Sequence, residues 1–201
     1  MNKKSKVEEN KSLKEKSLLD NAFKLFTEKG IKDTSIQEIA DKSGVAKGTF
    51  YLYFKDKYEL QDQLIARKSY QLFNKALKKL DKNKITSFDD QIIFIIDYII
   101  DDLSKNKLLL KFITKNLSFG LYNEKVIKLM EDNNIKVREL FIDGISKYNP
   151  SIDNPDVTLF MIIELTSSTC FSSIMNKEPL PIDKYKPYLY KTIKGILNEK
   201  N

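Results

Sequence analysis

The 201-residue chain predicts an all-α fold in two parts, an N-terminal three-helix unit built on a helix-turn-helix and a C-terminal helical bundle. Three observations predict it. Apolar residues recur at helical spacing between recognisable start and stop signals. A short glycine-containing turn at Gly44 joins two short helices, which is the form of a helix-turn-helix. Beyond Leu80, long apolar-striped segments are separated by Asn-Pro and Pro-marked breaks, as in a bundle.

Taken in order, residues 1–11 are polar and charged, with too little apolar surface to fold alone, and read as a flexible basic arm. From about Ser12 a helix runs to Lys29 with Ala22, Phe23 and Phe26 on its packed stripe, and Gly30 ends it. Ser35-Ile36-Gln37-Glu38 has the form of a capping box, in which the serine hydroxyl accepts from the Glu38 amide while the glutamate accepts from the serine amide. The helix it starts carries Ile36, Ile39 and Ala40 and stops at Ser43-Gly44, where glycine takes the left-handed conformation. A second short helix is expected from Ala46 or Lys47 to Phe54, closing a helix-turn-helix domain over residues 12–57. Asp56 caps a long connecting helix over 58–80, and residues 81–201 form the bundle. Its helices are expected over Asp89–Leu103, Lys107–Phe119, Asn123–Lys147, Asp156–Met175 and Tyr188–Asn198. Asp89–Leu103 is apolar nearly all round, the mark of a helix enclosed by others; its β-branched content leaves a strand as the alternative.

On the second short helix, ~100° per residue puts Ala46, Phe50 and Phe54 on one face and Lys47, Gly48, Tyr51 and Leu52 on the other. The first face packs. The second suits a DNA groove, since lysine donates to guanine, apolar edges meet thymine methyls and glycine permits close approach. Charge agrees with this placement: Met1–Leu80 holds 18 basic and 11 acidic residues, net +7, whereas Asp81–Asn201 holds 17 of each. The excess positive charge lies with the helix-turn-helix, as a phosphate-facing surface requires.

These residues resemble the tetracycline-repressor (TetR) family of bacterial transcription regulators, from Leu19 to about Leu64. The likeness is carried by Ala22, Phe26 and Gly30, by Thr34-Ser35 and Ile39-Ala40, and by the run Lys47-Gly48-Thr49, Tyr51, Tyr53, Phe54 and Lys57. The resemblance implies base or groove contacts for Gln37, Lys47, Gly48, Thr49 and Tyr51, and phosphate contacts for Ser35, Tyr53 and Lys57. It implies a ligand-responsive repressor released from a palindromic double-stranded DNA operator by a small apolar or amphipathic effector, and a homodimer paired through its last two long helices. Pocket candidates in the C-terminal half are Phe94, Tyr98, Phe112, Phe119, Phe141, Phe160, Met161 and Glu164. Seam candidates are Ser167, Ser168, Phe171, Leu189, Ile193 and Ile196, near the small-residue run Thr166–Cys170. Ala46 departs from the family, where serine or threonine often caps the helix; alanine offers no oxygen, a loss of ~1 kcal/mol.

The chain has no histidine and one cysteine, Cys170, so His-based triads, His metal sites and intramolecular disulfides are excluded. We expect no enzyme activity, cofactor or metal, a cytoplasmic location and no membrane partner, since no signal-like stretch follows the N-terminal lysines. An enzyme would need Glu164 beside Thr166 and Ser167, or Asp97 with Asp101, to be catalytic. A helical interaction module without DNA binding is a third reading, suggested by Ala46 and opposed by Lys47, Tyr51, Tyr53 and Lys57.

Overall fold

The computed structural model describes residues 3–113, Tyr122 and residues 137–199, and among these there are nine α-helices and no strand. They are α1 (Lys3–Lys29), α2 (Ile36–Lys42), α3 (Lys47–Phe50), α4 (Lys57–Leu80), α5 (Phe88–Lys105), α6 (Lys107–Ile113), α7 (Val137–Tyr148), α8 (Pro155–Met175) and α9 (Ile182–Leu197). The chain divides into two compact units, Met1–Ile65 and Ala66–Asn201, with the division falling inside α4.

In the first unit α1 packs Leu18, Leu19, Ala22, Leu25 and Phe26 inward, all nearly inaccessible, against Ile39 and Ala40 of α2 and Phe50 and Phe54 around α3. Gly30 and Gly44 sit at φ +87° and +68°, where a side chain would strain the backbone, and end α1 and α2 respectively. Two expectations are corrected here. Helix α1 starts at Lys3 rather than Ser12, because the segment holds no glycine or proline and is rich in Lys and Glu, good helix formers. Helix α3 is a single turn that ends at Phe50; Tyr51–Tyr53 follow as turns, with the Tyr53 and Phe54 amides still bonded to the Phe50 carbonyl.

In the second unit α5 is a helix, which settles the strand alternative, and it buries Ile96, Ile99, Ile100 and Leu103. Helix α8 packs against α5, α6, α7 and α9. It is long and apolar enough by composition to cross a bilayer, yet half of that stretch is buried within the protein, as for a core helix. Helix α9 begins at Ile182, so Pro187 lies inside it instead of preceding it; the proline faces solvent, where its missing N–H leaves a carbonyl that water can reach. The expected ends of the helices over Lys107–Phe119 and Asn123–Lys147 lie outside the described residues, as does Phe119.

Polar clamps fasten the bundle. Lys186 of α9, with its side chain only 14% exposed, bonds Asp97 at 2.6 Å and also Asp101 of α5, while the Tyr190 hydroxyl donates to Asp97. Arg138 of α7 grips both carboxylate oxygens of Asp156 at the start of α8, and the Tyr122 hydroxyl donates to the Asp156 carbonyl at 2.8 Å. Burial alone would raise the Asp97 pKa, but the bonds from Lys186 and Tyr190 outweigh it and hold the carboxyl below its ordinary value. A depressed carboxyl contributes stability above its ordinary range and loses that contribution as pH falls. Lys186→Met is therefore expected to destabilise the chain by about 1 kcal/mol at neutral pH. The gap to wild type should close in acid, where Asp97 is protonated in both proteins; urea denaturation at the two pH values checks this, and a gap independent of pH would refute it.

Candidate functional site

The helix-turn-helix is held by short polar contacts around its two joints. Ser35 caps α2 by accepting from the Glu38 amide at 3.2 Å, and Glu38 returns by accepting from the Ser35 amide at 2.9 Å. Lys29 at the end of α1 bonds the other Glu38 oxygen at 2.5 Å. This bond foremost, then those from Ser35, pulls the Glu38 carboxyl down to about 2. At the second joint, the Ser17 hydroxyl donates to the Ser43 carbonyl at 3.3 Å and Asn21 donates to the Ser43 hydroxyl at 3.3 Å, tying α1 to the turn. The Val45 amide closes on the Ala40 carbonyl at 3.1 Å.

Helix α3 has a packed back and an open front. Phe50 and Phe54 are almost fully buried with ring centroids 5.6 Å apart, while Tyr51 stands 51% exposed with its ring edge-on to Phe50. Lys47 and Gly48 are exposed, Thr49 and Tyr53 half-buried, and Leu52 is 77% exposed. Ala46 is the N-cap, in extended backbone with no side-chain bond, and is exposed; it does not share the packed face with Phe50 as the periodicity predicted, because the helix begins only after it. Ser35 and Gln37 are exposed on α2, with the Gln37 amide donating to Asp41 at 2.8 Å. Lys57, expected at phosphate, is engaged within its own chain when DNA is absent. Its ammonium donates to the carbonyls of Lys32 at 2.9 Å and Thr34 at 2.8 Å, so in the free protein it braces the α1–α2 loop.

The second unit carries a pocket of about 350 Å³ that is open to solvent on one side. Phe73, Leu77 and Leu80 of α4 form one wall, and Gln91, Ile92, Ile95, Ile96 and Ile99 of α5 another. Phe141 and Gly144 of α7 and Leu159, Ile162, Ile163 and Thr166 of α8 close it, with exposed Asp81 and Leu140 at the rim. Phe88 lies so close to Gly144 that a Cβ there would meet its ring at 2.2 Å. Of the predicted pocket residues that are described, the pocket takes Phe141 alone. Phe94 and Tyr98 lie on other faces of α5, Phe112 is buried in α6, and Phe160, Met161 and Glu164 are exposed along α8. The sequence offered no way to choose among the faces of α5, which is apolar nearly all round. Among the predicted seam residues, Leu189 and Ile193 are buried within their own chain and cannot meet a partner without exposing its core. Ser168 is exposed; Ser167, Phe171 and Ile196 are half-buried. Asp97 and Asp101 are engaged by Lys186 as described, and Cys170 is buried with its thiol pushed up to about 12 by desolvation.

Comparison with known proteins agrees with this geometry. The sequence model of the bacterial regulatory proteins, tetR family, matches residues 18–64, the span of the helix-turn-helix. The chain is 26% identical over 186 residues to the HTH-type transcriptional regulator YhgD of Bacillus subtilis, covering 92% of each. It is 30% identical over 154 residues to the transposon Tn10 TetC protein of Escherichia coli, covering 68% of this chain and 75% of that one. The fold is shared with the transcriptional regulator FadR from Bacillus subtilis in complex with stearoyl-CoA, at a TM-score of 0.63 and 16% identity, over 92% of this chain and 98% of that chain. The exposed front of a helix-turn-helix, the matched family signature and these relatives converge: the chain belongs to the tetR family of bacterial transcriptional regulators.

Proposed function

We propose that this protein is a ligand-responsive repressor that binds a palindromic operator as a homodimer and leaves it when a small apolar or amphipathic effector enters the cavity of the second unit. The observation that carries the reading is helix α4. It starts directly after the recognition turn, runs unbroken for 24 residues, about 36 Å at ~1.5 Å per residue, and contributes Phe73, Leu77 and Leu80 to the cavity wall. A ligand that repacks those three side chains acts on a helix whose first turn is capped by Asp56 beside the DNA-reading segment, through bonds from the Tyr58 and Glu59 amides. FadR of Bacillus subtilis, the regulator in complex with stearoyl-CoA, shows that a protein of this fold accommodates an amphipathic molecule.

For DNA, Tyr51, Lys47, Gly48 and Thr49 read the groove, with Gln37 beside them on α2, and Ser35 and Tyr53 meet phosphate. Lys57 serves chiefly to hold the loop that presents Ser35. Tyr51→Ala and Lys47→Ala should each cost about 1 to 3 kcal/mol of discrimination between an operator selected from random duplexes and nonspecific DNA. Lys47 is exposed, so Lys47→Ala should leave the melting temperature unchanged, whereas Tyr51→Ala gives up the edge-on contact with Phe50 and should lower it by a few degrees at most. Retention of the full specific-to-nonspecific ratio would refute the assignment.

The homodimer is expected along the outward stripe of α8, Val157, Phe160, Met161, Glu164 and Ser168, with Tyr188, Thr192 and Gly195 of α9. Val157, Phe160, Met161 and Tyr188 of this stripe are 44–65% exposed, an exposure that a partner would relieve. Ser168→Arg should yield monomers in sedimentation, since it places a guanidinium from each protomer in the seam; an unchanged dimer would displace the seam.

Binding of effector and operator must be reciprocal. Converting a mostly competent population into a mostly incompetent one takes a differential affinity of about 5 kcal/mol. Any effector found by thermal-shift screening should therefore bind more weakly when operator is present, and equal affinities with and without DNA would exclude coupling through α4 for that ligand.

A further inference from the structure

The first turns of α1 carry charge that packing does not explain. Helix α1 begins at Lys3, yet the stretch from Glu8 to Lys14 is exposed throughout, and burial sets in only at Leu18 and Leu19. Helices in proteins take most of their stability from an apolar face packed on a neighbour. These turns have no such face and are held as an extension of the packed part of α1. Their charges are nevertheless sorted. At ~100° per residue, Lys6, Lys11 and Lys14 fall within one arc that also contains Ser17 and Asn21, and no acidic residue from Lys3 to Ser17 lies in it. Glu8, Glu9 and Glu15 occupy the rest of the circumference. Ser17 and Asn21 are the residues that bond Ser43, at the turn leading into α3. The basic arc therefore continues the side of α1 that touches the helix-turn-helix joint, and at ~1.5 Å per residue it reaches about 16 Å beyond Ser17.

We propose that this arc is a phosphate-binding surface: Lys6, Lys11 and Lys14 meet the DNA backbone bordering the site that α3 reads, adding affinity and fixing position without reading sequence. Charge complementarity selects the partner. All of the chain's net +7 lies in Met1–Leu80, the part that holds the reading element, and exposed ammonium groups on one helical side suit a polyanion whose counterions they release. The inference rests on the reading of α3 as the DNA-contacting element and adds to it a second, sequence-independent contact.

The test is the salt dependence of binding, followed by fluorescence anisotropy with the full chain on an operator selected from random duplexes and on a nonspecific duplex. Each phosphate neutralised contributes ~0.9 to the slope of log K against log salt. Lys6→Gln, Lys11→Gln and Lys14→Gln together put a good helix former at three exposed positions. This variant should lose about 2 to 3 of that slope per protomer and bind both duplexes roughly tenfold more weakly or worse at physiological salt. Its operator-to-nonspecific ratio and its melting temperature should stay at wild-type values. Lys79→Gln, Lys82→Gln and Lys84→Gln remove the same charge from exposed positions of the second unit and should leave the slope unchanged. The proposal is overturned by an α1 variant with the wild-type slope, by a second-unit variant that loses as much slope, or by a loss confined to the operator. Wild type that prefers its operator while the α1 variant keeps its slope removes this proposal alone; wild type that binds no duplex removes the reading of α3 with it.

Discussion

Burial of Phe50 and Phe54 beneath a single helical turn is the constraint on which the reading element depends. Helix α3 has four residues and no N-cap bond, so hydrogen bonding within it cannot hold it in place. A missing cap costs ~1 kcal/mol, whereas full burial of a phenylalanine returns about 1.5–3 kcal/mol, and here two are buried side by side. Packing therefore outweighs the absent cap. Because both rings point into the core formed by α1 and α2, the residues between and before them, Lys47, Gly48, Tyr51 and Leu52, are turned outward together. The orientation of the front face is a consequence of the packing of the back.

The same logic, applied with less complete packing, produces the cavity. Helices α5 and α8 are apolar around most of their circumference and so are enclosed by neighbours. Polar clamps at the edges, Asp97 with Lys186 and Tyr190, and Arg138 with Asp156, fix how closely the helices approach. Between them the aliphatic side chains of α4, α5, α7 and α8 leave about 350 Å³ unfilled. The pocket opens to solvent on one side, so an apolar occupant that displaces water from its aliphatic walls is bound by the hydrophobic effect. Gly144 keeps room for the Phe88 ring at one side of this space, an arrangement that any side chain at position 144 would disturb.

Local signals made the first unit legible. The Ser35–Glu38 capping box, the Asp56 cap, the glycines at 30 and 44 and the buried Phe50–Phe54 pair are each written in a few neighbouring residues and each stands as read. Contacts between distant residues were not legible: Lys57 on the carbonyls of Lys32 and Thr34, Ser17 and Asn21 on Ser43, and Lys186 on Asp97 join positions 22 to 89 apart. In the bundle, helix existence was readable and helix facing was not. Helix α5 offers apolar residues in every direction, so nothing in its sequence tells Ile95, on the cavity, from Phe94, off it. Leu189 and Ile193 are seam candidates because the resemblance implies pairing through the last helices, but their spacing marks the stripe that α9 buries in its own chain. The start of α9 was misplaced because Pro187 reads as a break, and it is tolerated only because it faces solvent.

The central claim is that the outward face of α3 enters DNA while its back stays in the core, and the chain's ten tyrosines allow it to be tested in one spectrum. Ring resonances followed by NMR during titration with a palindromic operator duplex should shift most for Tyr51, then for Tyr53, while buried Phe50 and Phe54 keep their mutual contacts. Tyrosines of the second unit near no DNA, such as Tyr190 in its clamp with Asp97, should shift little on direct contact grounds. A Tyr51 resonance that does not move on saturation with operator, with the largest shifts elsewhere, would contradict the account.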